Sequence, residues 1–109
     1  MLNWACLSGV VLDEPELVYP PGEDPVIIFV MGIWSGQRKN GTVKVECRAP
    51  VATSAAKLVH QGDWVVLLGF LYATDYQDED GHQVNEVTIR PLGLELIKKD
   101  SLALKESNI

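Results

Sequence analysis

The chain alternates apolar runs of strand length with short polar or turn-forming stretches. Leu2 to Leu12 is the first run and reads as a strand. The segment that follows, DEPELVYPPGEDP, contains four prolines and one glycine, which exclude a regular helix or a central strand and leave a loop. Val26 to Trp34 (VIIFVMGIW) is short and rich in β-branched residues, so it reads as a second strand. Ser35 to Gly41 turns the chain, with Asn40-Gly41 the strongest hairpin signal present. From Thr42 to Ala49 the alternation is clean, with Val43, Val45 and Cys47 on one face and Lys44, Glu46 and Arg48 on the other. Pro50 ends that strand.

VATSAAKLVHQG then predicts one short helix, with Ala55, Leu58 and Val59 on a shared face and Gly62 at its stop. Trp64 to Tyr72 (WVVLLGFLY) is a fourth strand. Val84 to Ile97 is the fifth, in which Pro91 and Gly93 mark a bulge or a change of direction. Five strands with a helix between the third and fourth is the connectivity of the OB-fold, an all-β Greek-key barrel. The domain is expected over 1–99, with a short polar tail at 100–109.

Composition narrows the partners. A chain of 109 residues with 47% apolar content supports one domain with a real core. The net charge of −6 opposes non-specific attraction to phosphate backbones and anionic membranes, so any nucleic-acid binding has to be local. No secretory signal or spanning segment is evident, and no membrane association is expected. Cys6 and Cys47 both sit in apolar runs and read as buried free thiols. His60 and His82 lack zinc-ligand spacing and read as solvent-facing. Ser8, Ser35 and Ser54 lack the context of an activated nucleophile, and no phosphate loop or dinucleotide fingerprint is present, so no enzyme, metal or cofactor is expected.

One acidic stretch, YQDEDGHQVNEV, places Asp78, Asp80 and Gly81 at positions 3, 5 and 6 of a twelve-residue calcium loop. Tyr76 and Val87 occupy the two ends where oxygen ligands are needed. With strands on both sides, the stretch is a hairpin with a solvated tip.

Several segments taken together resemble the bacterial single-stranded-DNA-binding protein (SSB) family: MLN, LSGVVL, EPELVYPPG with Phe29, and HQGDWVVLLGFLYATDYQDEDGHQVNEVTI. The resemblance spans residues 1 to 97 and is similar in scale to short SSB-like proteins of cyanobacteria and plastids and to primosomal relatives. It implies a cytoplasmic or plastid-stromal protein that binds single-stranded DNA in replication, repair or recombination. Family members stack bases on a few aromatics. Here Tyr76 matches the hairpin aromatic and Trp34 lies near another, whereas the two remaining positions align near Lys44 and Pro50, which cannot stack. At roughly 1 to 3 kcal/mol per stacked base, this implies weak, sequence-tolerant binding. The chain ends KESNI, without the family's acidic Pro-Phe tail, so tail-mediated recruitment of repair proteins is not expected.

Arg38, Lys39, Lys44 and Arg48 lie close together with only Glu46 against them, a local net of +3. With Trp34 and Tyr76 they form the expected nucleic-acid site, the plainer alternative being charges that keep a sheet edge soluble. If the inward phase of the fourth strand is Val65, Leu67, Gly69 and Leu71, as in the family, then Trp64, Val66, Leu68, Phe70 and Tyr72 line the outer face. Such a stripe reads as a homo-oligomer interface, dimeric or tetrameric, or else as a second stacking surface. Trp4 is expected in the core or at that interface. An oligomeric protein-interaction module of the primosomal type, without strong nucleic-acid binding, is the alternative function.

Overall fold

The computed structural model describes residues 2–35 and 38–97, with the side chains of Ser35, Lys39 and Asn40 outside the described residues, as is the tail expected at 100–109. Six strands and one helix follow in the order β1 (Ala5–Val11), β2 (Glu16–Val18), β3 (Val26–Ser35), β4 (Arg38–Cys47), α1 (Val51–Leu58), β5 (Trp64–Gln77) and β6 (Gln83–Ile97). The sheet runs β1-β5-β6-β4-β3-β2, and β1 also pairs with β3 through Val10–Gly32 and Val11–Met31. That second pairing closes the ring. All pairings are antiparallel except β4 with β6, where Lys44 lies beside Thr88 and Val45 beside Ile89. This is the closed all-β barrel of the OB-fold.

Inward positions follow the period-two pattern. Phe29, Met31, Val43, Val45, Cys47, Val65, Leu67 and Ile89 are buried together, and α1 adds Ala52 and Ala55 at one end. Val59, the residue that caps α1, completes this plug by donating its N–H to the Ala55 carbonyl at 3.0 Å.

Closure depends on glycines on the inward phase of two strands. A Cβ at Gly9 would collide with the Gly32 carbonyl oxygen and stand 2.9 Å from Met31 Cγ. One at Gly69 would collide with the Arg90 carbonyl and stand 2.6 Å from the Cα of Pro91. There the register of β5 on β6 shifts: Leu68 faces Gly93 and Gly69 faces Pro91, so Leu92 is the extra residue of a bulge. Of the two alternatives expected at Pro91 and Gly93, a bulge or a change of direction, the bulge is present.

Other details differ from the sequence expectation. The proline-rich loop contains a three-residue strand, β2, on the outer edge of β3. Two of its acids are tied down: Asp13 Oδ1 accepts from Val30 N at 2.8 Å, and Glu14 Oε2 accepts from Gln61 N at 3.0 Å. Asn40-Gly41 is not the hairpin turn, because β3 and β4 stay paired out to Ser35 and Arg38. Ile33 faces Gly41 and Trp34 faces Lys39, so Asn40 is a bulge residue inside β4. Extending the ladder adds cross-strand pairs that an earlier turn would forgo. Leu58 points away from the barrel and is exposed, its expected place on the buried face being filled by Ala52. Cys6 is exposed, because it falls on the outward phase of β1; Cys47 is buried.

Gly9→Ala is expected to lower the unfolding free energy by at least about 3 kcal/mol, since the colliding atom is backbone and cannot step aside. Gly93→Ala, where a Cβ meets nothing within 4 Å, is expected to change it by no more than about 0.5 kcal/mol. Urea denaturation of the two variants measures both.

Candidate nucleic-acid interface

Residues directly opposite in a sheet point to the same face, so register transfers a face from strand to strand. Val30 lies opposite Lys44, Lys44 beside Thr88, Thr88 opposite Tyr72, and Tyr76 opposite Val84. The outer face of β3, β4, β6 and the distal half of β5 therefore carries Trp34, Lys44, Glu46, Tyr72, Tyr76, Glu86 and Arg90. Trp34 is 44% exposed and Tyr76 46%. Five of the six residues expected to bind nucleic acid (Trp34, Arg38, Lys39, Lys44, Tyr76) lie on the β3–β4 hairpin or on this face. Arg48 follows directly after β4 and reaches back onto the face; the side chain of Lys39 lies outside the described residues.

Charge on this face differs from the +3 read in sequence, because acids distant in the chain fold onto the bases. Lys44 Nζ is 3.5 Å from Glu86, and Arg48 reaches Glu46 at 2.7 Å and Glu23 at 3.6 Å. Arg90 Nη2 is 3.4 Å from the same Glu46 oxygen that Arg48 engages. Lys44, Arg48 and Arg90 are thus cations that already have partners.

Glu46 is the centre of that arrangement. It is nearly buried, it accepts the Tyr72 hydroxyl on Oε2 at 2.5 Å, and its other oxygen takes the two arginines. Burial pushes its carboxyl upward, but the hydrogen bonds from Tyr72 and Arg48 and the charges of Arg48 and Arg90 outweigh this and hold it below the ordinary 4.5. The Tyr72 phenol is raised by burial and by its bond to Glu46, so it stays a proton donor. Arg90 sits over the Tyr72 ring, its Cζ 5.2 Å from the centroid. Beneath the face, burial and the Glu46 charge push the Cys47 thiol up to about 12, which leaves it unreactive.

The other expected surface starts where this one ends. On the proximal half of β5, Trp64, Val66, Leu68 and Phe70 point outward beside Cys6 of β1, and Trp4 lies against Phe70 with ring centroids 5.2 Å apart. Trp4 is more than half exposed, so it belongs to this stripe and not to the core. Tyr72, expected to extend the stripe, is committed through its hydroxyl to Glu46 on the polar face.

The hairpin tip beyond Tyr76 is built by its first acid. Asp78 Oδ1 accepts from the backbone N–H of Asp80 at 3.0 Å and of His82 at 2.8 Å, while Gly81 takes the left-handed φ of 81°. Asp78, Asp80 and His82 offer ligand atoms within 4.8 Å of one another, all on exposed residues. Both histidines face solvent, as expected; His60 Nδ1 lies 3.0 Å from Glu14.

Sequence reasoning missed Arg90 and the roles of Glu46 and Tyr72. The available signal was the outward phase shared by Glu46, Thr88 and Arg90. Nothing local, however, indicates that strands so far apart in the chain become neighbours.

No family model matches the chain, and no curated protein matches its sequence. Among solved structures it is similar to the small single-stranded DNA-binding protein from Streptomyces coelicolor, at 21% identity and a TM-score of 0.71, covering 89% of this chain and 96% of that one. It is also similar to the Plasmodium falciparum SSB solved in complex with single-stranded DNA, at 17% identity and a TM-score of 0.72, covering 90% and 97%. Both likenesses extend over nearly the whole barrel and confirm the fold.

Tyr72→Phe removes a hydrogen bond to a charged acceptor and is expected to cost about 1.5–3 kcal/mol at neutral pH. Because Glu46 is depressed in the folded state, its contribution is complete above the unfolded value near 4.5 and is lost as pH falls through the folded value. Stability measured from pH 7 to 2.5 is therefore expected to fall less steeply in Tyr72→Phe than in the unmodified protein.

Proposed function

We propose that this chain binds single-stranded DNA with little sequence preference on the outer face of β3, β4, β6 and distal β5, in replication, repair or recombination. The observation that carries the reading is the joint display of Trp34 and Tyr76, both exposed, on a face that also holds Lys44, Arg48 and Arg90. Base stacking supplies most of the affinity, because the cations are already engaged by Glu23, Glu46 and Glu86. Two barrels of the same fold, from proteins described as single-stranded-DNA-binding, support the assignment. The acidic hairpin tip repels phosphate, so the strand passes the base of this hairpin at Tyr76 and avoids its end.

A second surface favours self-association. Trp4, which directly precedes β1, and Trp64, Leu68 and Phe70 of β5 form one exposed apolar stripe, on the opposite end of β5 from Tyr76. A homo-oligomer joined there covers the stripe and leaves the DNA face open. Cys6 lies within it.

Titration with a deoxythymidine oligomer, followed by tryptophan fluorescence, is expected to give micromolar binding at low salt. Each phosphate released from counterions contributes roughly −0.7 to the slope of log K against log salt, and a total shallower than about −2 is expected. Trp34→Ala and Tyr76→Ala should each weaken binding by about 1–3 kcal/mol. Absence of binding at tens of micromolar would reject the reading and favour a protein-interaction module instead.

Sedimentation is expected to show a species larger than the 12.0 kDa chain, and Leu68→Glu to reduce it to a monomer. The Cys6 thiol should react faster with a thiol reagent in that monomeric variant than in the parent protein. A 12.0 kDa species at high concentration would refute the interface.

A further inference from the structure

We infer that Arg90 is itself a base-stacking platform: its guanidinium, held over Tyr72 by Glu46, receives one base of a bound single strand. This rests on the single-stranded-DNA reading above and names a residue that neither the motif positions nor the charge cluster of the sequence contained.

Arg90 is held by more than its ion pair. Arg48 bridges Glu46 at 2.7 Å and Glu23 at 3.6 Å, and Arg90, 3.4 Å from the same Glu46 oxygen, completes a balanced set of two arginines and two glutamates. The Arg90 Cζ lies 5.2 Å from the Tyr72 centroid, and its Nε is shut off from solvent without a hydrogen-bond partner. Fixing an arginine this way forfeits roughly 2 kcal/mol of rotamer freedom. Yet 40% of the side chain remains exposed.

The chemistry of the group suits that exposed part. A guanidinium is planar, delocalised and weakly hydrated, so it stacks on π-faces where an ammonium does not. Single-stranded nucleic acids are gripped by bases laid on aromatic rings and on arginine planes. Tyr72 underlies the group, and its own hydroxyl is fixed by Glu46 at 2.5 Å, so ring and guanidinium share one anchor. The stack would run Tyr72, Arg90, base. It lies on the same face as Tyr76, one outward step along β6 from Thr88, the neighbour of Lys44, where the resemblance led one to expect an aromatic and the chain has none.

The test separates plane from charge. Arg90→Lys keeps the charge and removes the plane, whereas Arg90→Trp keeps a plane and removes the charge. Each variant is titrated against a deoxythymidine oligomer and an abasic deoxyribose-phosphate oligomer of the same length, at matched salt, after thermal melting. Arg90→Lys is expected to weaken binding to the thymidine oligomer by about 5- to 50-fold, with abasic binding and the salt slope unchanged. Arg90→Trp should retain thymidine-oligomer affinity within about 5-fold, a single stacked base being worth at least that. Unchanged thymidine binding in Arg90→Lys would overturn the proposal, as would an equal loss on both oligomers, the result for a point charge. If Arg90→Lys does not fold, Arg90→Trp decides alone, since loss of thymidine binding in a folded Arg90→Trp also overturns it. Failure of the unmodified protein to bind thymidine oligomers is a different result, which removes the DNA reading together with the platform.

Discussion

Everything displayed on this barrel depends on how closely β1 can approach β3. A strand that pairs on one side with β5 and on the other with β3 has to bring two backbones together where a side chain normally stands, and Gly9 against the Gly32 carbonyl is where that happens. The second close approach, Gly69 against the Arg90 carbonyl, forces the bulge at Leu92. Closure thereby sets the phase of β6 at Arg90, opposite Phe70 and one outward step from Thr88. The polar face is thus a consequence of how the core is sealed.

On that face the electrostatics are largely internal. A chain with net charge −6 could attract phosphate only through a local excess of cations, and Glu23, Glu46 and Glu86 consume most of the excess that Lys44, Arg48 and Arg90 provide. What is left unspent is planar surface: Trp34, Tyr76 and the guanidinium over Tyr72. On the proposed reading, such an interface would take bases by their faces, which all four share, and give up the long-range steering of a strongly basic groove.

The fold was largely legible because its strands obey a period of two. The inward set Val43, Val45 and Cys47 was readable from alternation alone, whereas the inward phase of Val65 and Leu67 came from the family resemblance and the irregularity at Pro91 and Gly93 from residue type. The misreadings share a cause, which is that pairing over long sequence distance overrides local preference. Asn40-Gly41 has the chemistry of a turn, but the ladder continues past it to Arg38. Cys6 and Trp4 are apolar, but β1 has one inward phase and they are off it. The candidate site was half legible: Trp34, Lys44 and Tyr76, singled out from sequence, share one face, while the charge balance of that face was not foreseen. Lys44 meets Glu86, and Glu46 meets Arg90, only because β4 and β6 run side by side in parallel, a neighbourhood that no stretch of either strand announces.

One feature of β5 constrains how such a protein can change its length. Within fourteen residues this strand supplies core side chains on one phase and, on the other, first the apolar stripe and then the aromatic end of the polar face. Inserting or deleting a single residue anywhere between Trp64 and Tyr76 would exchange the two phases beyond that point, driving tyrosines inward and leucines out. Length variation is therefore confined to places where phase has no meaning, such as the Asp78–His82 tip. The hairpin of this barrel can change length there while the strand beneath it keeps its residue count.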